Sequence, residues 1–245
     1  MSFGRTMRAG ICLASLLVAC GDAAEGDGTP FEYQGTWVVE GARCEGQEQL
    51  RVVAVEPAAD EDGALVARSL RADACLAAGA SLWEGDPAGD GAVRLGDDEV
   101  GVQTQGKDVI RLDAPDGELT LRRVYPDTGP TPLPEIDDLS LSGQWLMEGY
   151  PCDEELVPQV VQVSHAGGTF SITKTLGDGC IEAGTRFVEG ELDGLTMSGE
   201  GYLEAPDPWG DVEGFEVSGR VRVPEYFRLD ALGVAVGFRR VLGDE

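Results

Sequence analysis

Histidine occurs once in this 245-residue chain and lysine twice; Lys and Arg together number 18 against 45 Asp and Glu, a formal net charge of −27. A surface of that sign repels a phosphate backbone, so nucleic acid is not expected as a partner, and direct contact with an anionic membrane surface is disfavoured. With His165 alone, His-rich metal sites are excluded and the usual base of a nucleophile triad has a single candidate. No hydrophobic run approaches the roughly 20 residues of a membrane-spanning helix. No segment sustains an amphipathic 3.6-residue period with caps, so helices are not expected. C-x-x-C pairs, G-x-S-x-G and phosphate-cradling glycine loops in the right context are missing as well. What is there is 42% hydrophobic, with 35 glycines and 13 prolines. That supplies a core, cut into short pieces by turns.

At the N-terminus Arg5 and Arg8 precede an apolar run from Ala9 to Ala19, which ends in Leu17-Val18-Ala19-Cys20. A basic start and a short apolar stretch suit an export signal rather than a span. The last four residues resemble the lipobox of bacterial lipoprotein precursors. The resemblance implies that residues 1–19 are a signal peptide, that cleavage falls before Cys20, and that the Cys20 thiol carries a diacylglyceryl group. With about 0.8 kcal/mol per buried methylene, two or three acyl chains would hold the protein on a lipid bilayer lastingly. Residues 20–32 are small and acidic without apolar periodicity, and read as a flexible tether. The expected location is the cell envelope, lipid-anchored, with the outer membrane favoured and the body facing periplasm or exterior.

The chain contains itself twice. GTWVVEGARC (35–44) and GQWLMEGYPC (143–152) share G-x-W-x-x-E-G-x-x-C. DACLAAGASLWEG (73–85) matches DGCIEAGTRFVEG (178–190), RLDAPDG (111–117) matches RLDALG (228–233), and LRRVY (121–125) matches FRRVL (238–242). Four blocks in one order indicate internal duplication. The first repeat spans 33–125 and the second 139–245, joined by 126–138, a linker with four prolines. The spacing between matched blocks widens after Cys180, which places an insertion in the second repeat near Tyr202–Gly214.

Each repeat reads as antiparallel β. In the first, short stretches rich in branched and aromatic residues cover Thr36–Glu40, Gln49–Val55, Ala64–Leu70, Ala80–Glu84, Ala92–Leu95, Val100–Thr104, Asp108–Leu112 and Glu118–Val124. Turn signals separate them. About eight strands per repeat predict an all-β protein of two tandem, duplicated, small up-and-down antiparallel barrels, with one disulfide in each copy. Alternation places Leu119, Leu121 and Arg123 on one face, and likewise Val236, Phe238 and Arg240. So each repeat has an arginine on its apolar face near the end and a tryptophan, Trp37 or Trp145, near the start. Packed together, Arg123 on Trp37 and Arg240 on Trp145 would close one end of each barrel, contributing on the order of 1–2 kcal/mol. With Gly35 and Gly143, this pattern resembles the calycin superfamily (lipocalins and relatives), whose first strand carries G-x-W and whose late arginine packs across the tryptophan. The resemblance implies a β-barrel and a small hydrophobic ligand, although small eight-stranded barrels are generally filled by their own side chains.

Six cysteines are present. With Cys12 in the signal and Cys20 acylated, four remain, and three pairings are open. Duplication selects Cys44–Cys75 and Cys152–Cys180, because each ancestral copy had to be self-sufficient; an exported protein permits such bonds.

Little else carries chemistry. His165 lies in a turn context without a counterpart in the first repeat. Glu40 and Glu148 recur, on the opposite strand face from the tryptophans, which suits an outward hydrogen-bonding role. The acidic loops around Asp60–Gly63, Asp86–Asp90, Asp97–Glu99 and Asp207–Glu213 do not follow the spacing of a calcium loop. Trp209, flanked by Asp207 and Asp211, is the best candidate contact for a partner. The expectation is a non-enzymatic, membrane-anchored binding or envelope-interaction module without cofactor or metal. Its partners would be the bilayer through Cys20 and a protein or small molecule of unknown identity. The alternatives are a carrier of a small hydrophobic ligand and an inhibitor of a basic hydrolase, steered by acidic loops.

Overall fold

The computed structural model describes residues 30–59, 63–87, 91–126, 139–149, 158–178, 180–203 and 212–243. A 3-10 turn, Pro30–Tyr33, leads into eight strands: β1 (Gly35–Cys44), β2 (Gln47–Pro57), β3 (Leu65–Ser69), β4 (Ser81–Gly85), β5 (Ala92–Leu95), β6 (Asp98–Gln105), β7 (Val109–Ala114) and β8 (Gly117–Arg123). Eight more follow: β9 (Gly143–Glu148), β10 (Gln159–Ala166), β11 (Thr169–Lys174), β12 (Arg186–Asp193), β13 (Thr196–Leu203), β14 (Val212–Val223), β15 (Tyr226–Ala231) and β16 (Val234–Arg240). Each set of eight is a closed up-and-down antiparallel barrel, β8 pairing back with β1 and β16 with β9. The strands of the first repeat fall where alternation and turn residues place them. The largest difference is β1, which runs on to Cys44 through a bulge between Val39 and Ala42.

That bulge explains the shared motif. Gly41 has φ +79°, and a Cβ there would lie 2.4 Å from the Glu118 carbonyl oxygen; Gly149 has the same φ, and its Cβ would meet the Ala235 carbonyl at 3.0 Å. Only glycine combines that backbone conformation with so close an approach. The insertion is also located by register. Arg94 pairs with Glu99 across a short β5–β6 hairpin, whereas Glu200 pairs with Glu216 in β13–β14, so the extra length lies between.

Each barrel is filled by its own side chains. In the second, Trp145, Phe227 and Phe238 are fully buried; Trp145 meets Phe227 edge-on at 4.7 Å and Phe227 stacks on Phe238 at 4.4 Å between ring centroids. In the first, Trp37, Trp83, Ile110, Leu112 and Leu121 do the same. An eight-stranded barrel can be filled by side chains or hold one small ligand, and here large apolar side chains occupy both interiors.

A third apolar cluster lies between the barrels. Val38, Val52 and Val124 of the first meet Leu146, Val160 and Val241 of the second. These are equivalent positions of the two repeats. The strand tails are equally reciprocal: the Tyr125 N–H donates to the Arg240 carbonyl and the Leu242 N–H to the Arg123 carbonyl, both at 2.7 Å. Val124 and Val241 thereby form a one-pair antiparallel bridge. The repeats dock like the two halves of an isologous dimer.

Candidate functional site

The tryptophan–arginine pairs come together in both barrels. The Trp37 indole N–H donates to the Tyr33 carbonyl (2.9 Å) and the Trp145 indole N–H to the Leu141 carbonyl (2.8 Å). The Arg123 guanidinium carbon sits 5.3 Å from the centre of Trp37, and that of Arg240 sits 4.6 Å from Trp145. Arg123 donates to the carbonyls of Glu32 and Gln34. Arg240 donates to those of Ser140 and Ser142. Each arginine thus ties the entering segment over its tryptophan and caps one barrel end. Burial pushes the Arg240 pKa down, against the favourable field of Glu225. The desolvation is tolerated because the donors are satisfied. The arrangement is structural: it fixes the entering segment across one end of each barrel.

Cys44 and Cys75 form a disulfide with Cα atoms 5.7 Å apart. Asp73, beside it, accepts from the N–H groups of Cys75 and Leu76 and from Arg51 Nε at 2.6 Å. Burial would raise the Asp73 pKa, but the Arg51 bond and the two amides outweigh it and hold the carboxyl low. Cys44, Cys75 and Asp73 have the proximity of a metal cluster. With the sulfurs bonded to each other and the carboxylate engaged, they form a stapled corner. Cys180 is disulfide-bonded too, and Asp178 accepts from the N–H groups of Cys180 and Ile181. Its cation is Lys174, wholly buried, with Nζ 2.6 Å from Asp178 Oδ2. Cys20, Cys152, Asp207, Trp209 and Asp211 lie outside the described residues.

Glu40 and Glu148 point outward and bind Arg122 (3.1 Å) and Arg239. Arg239 also donates to the Tyr125 carbonyl of the first barrel at 3.2 Å. His165 stands at the end of β10, its Nδ1 3.4 Å from the Leu141 amide and its backbone bonded to the Ser142 hydroxyl. It steadies the segment that Arg240 caps.

Open grooves lie outside the barrels among the described residues. One, about 930 Å³, runs along the joint between Lys107, Asp108 and Arg122 of the first barrel and Gln144, Glu225 and Arg240 of the second. Another, about 760 Å³, lies on the outer face of β10–β13, lined by His165, Arg186, Glu189, Glu191 and Glu200. Ser171, Glu189 and Glu200 of its lining, and Glu216 beyond its edge, stand directly opposite one another across β11–β14. Like charges in register destabilise a sheet. Tyr202 donates its hydroxyl to Glu200 at 2.9 Å, and that bond with the nearby carboxylates pushes its pKa up. This carboxylate row was not read from the sequence, because register, not composition, brings the three glutamates side by side.

No protein-family model matches the chain, and no curated protein matches it significantly. Among solved structures, it is similar to a crystal structure of a candidate outer membrane protein from Bacteroides fragilis. Identity is 11%, with 88% of this chain and 100% of that chain covered, at a TM-score of 0.22.

Proposed function

We propose that this chain is a lipid-anchored bacterial envelope protein, with Cys20 acylated after removal of residues 1–19. Its paired barrels would be a non-enzymatic binding module held out on the 20–32 tether. The observation that carries this is the order of parts along the chain: a lipobox-like Leu17-Val18-Ala19-Cys20, an acidic tether, then a domain stapled by Cys44–Cys75. Such a disulfide belongs in an oxidising compartment, where the lipobox would send the chain. The filled interiors and arginine-capped ends favour a partner that meets the outer surface rather than a ligand carried inside. His165 serves the Leu141 amide and the Ser142 hydroxyl, which suits a scaffold better than catalysis.

Mass spectrometry of the protein purified from membranes tests this. The expected species starts at Cys20 and carries two or three acyl chains, and Cys20→Ser releases the protein from the membrane fraction. An intact Met1 start with reduced cysteines would overturn the reading.

The inhibitor alternative has one specific observation in its favour, the registered carboxylates Glu189, Glu200 and Glu216. It requires binding to a cationic enzyme that weakens steeply with salt.

A further inference from the structure

Because the barrels meet through equivalent surfaces, shape alone would let either repeat bind a second copy of itself. The contacts of Arg71 have no mirror image among the described residues, because the side chains at the equivalent positions differ. Arg71, in the turn after β3, reaches across the joint. Its Nη1 donates to Gln159 Oε1 at 2.9 Å and its Nη2 to the Gly177 carbonyl at 2.5 Å. The matched blocks and strand register equate Arg71 with Leu176, and Gln159 with Arg51. Leu176 packs on the apolar cluster of the joint. Two copies of the first barrel, docked in the same way, would set Arg71 of each against Arg51 of the other. Arg51 is only 10% exposed and is paired with Asp73, so it offers Arg71 no acceptor in place of the Gln159 amide oxygen, and the Asp73 carboxylate offsets the repulsion between the two guanidinium groups only in part.

The second repeat avoids the clash by moving a cation. Asp73 is held by Arg51 on β2. The equivalent Asp178 is held by Lys174 on β11, where the first repeat has Ser69. Position 159 is thereby left neutral, and the fully buried Gln159 presents an acceptor to Arg71. Burial pushes the Lys174 pKa down; Asp178 opposes that without cancelling it, and the nearby Arg71 adds to it.

We propose that Arg71 and Gln159 select the partner at this surface: the first barrel accepts the second barrel of its own chain and rejects another first barrel. A repulsive element against the wrong partner and a bond to the right one together give such discrimination.

The test uses the full chain with a specific protease site inserted in 126–138, cut after folding with the disulfides intact. Tagged and untagged cut preparations are mixed, and the pairs are read by native mass spectrometry. The expected result is that the halves stay together and exchange only into first–second pairs. Gln159→Arg should speed their separation about tenfold or more, and Arg71→Glu in the same chain should restore it. Arg71→Leu, which places there the residue that the second repeat has at Leu176, should weaken the first–second pair and allow first–first pairs. Homotypic pairs as abundant as heterotypic ones in the unmodified protein would overturn the proposal. So would separation that is unchanged by Gln159→Arg, or a charge swap that fails to rescue.

Discussion

Arg240 lies over Trp145 with its guanidinium carbon 4.6 Å from the ring centre, and ties down the carbonyls of Ser140 and Ser142. Removing it by Arg240→Ala takes away a cation–π contact and two charge-assisted hydrogen bonds. Urea unfolding of the second barrel should show a loss of about 2–4 kcal/mol. Arg240→Lys keeps the charge but cannot span both carbonyls, and should recover less than half of that loss.

The Cys44–Cys75 bond closes a separation of 31 residues. In the chain-entropy model its removal by Cys44→Ser with Cys75→Ser costs the first barrel about 3–4 kcal/mol. Thermal unfolding should then split, with the first barrel melting well below the second.

Acid should weaken the same corner. The Asp73 pKa is lowered in the folded state, so its stabilisation is present above the ordinary carboxylate value of 3.8 and is lost as the pH falls below it. Asp73→Asn should flatten the stability curve below about pH 4, measured by denaturant titration of the first barrel. At pH 7 the same change should be destabilising.

Lys174 and Asp178 are a buried pair, 0% and 4% exposed at their side chains. Lys174→Met alone strands the carboxylate and should cost about 3–5 kcal/mol. Adding Asp178→Asn keeps an acceptor for the amides of Cys180 and Ile181 while removing the charge, and should recover most of it. The double-mutant cycle is the check, and additive losses would contradict a coupled pair.

The joint between the barrels was only half visible in the sequence. Period-two alternation breaks at Val38-Val39, Val52-Val53, Leu146-Met147 and Val160-Val161, where both neighbours are apolar and both are buried. Such doublets mark strands covered on both faces. They show that something covers β1, β2, β9 and β10, without showing what. The Arg71 contact left no local trace, since its partners Gln159 and Gly177 are remote in the chain.

By itself the amino-acid order determined the duplication, the strands, the closed-barrel class and the tryptophan–arginine pairing. All of these follow from alternation and from motifs repeated within one chain, and alternation is a local property of extended backbone. Tertiary structure alone decided that the repeats dock back to back, that Asp73 and Asp178 draw their cations from different strands, and that three glutamates stand abreast on an outer face. Those depend on cross-strand register and on which surface meets which, and both are set by the closing of the barrels rather than by any stretch of neighbouring residues.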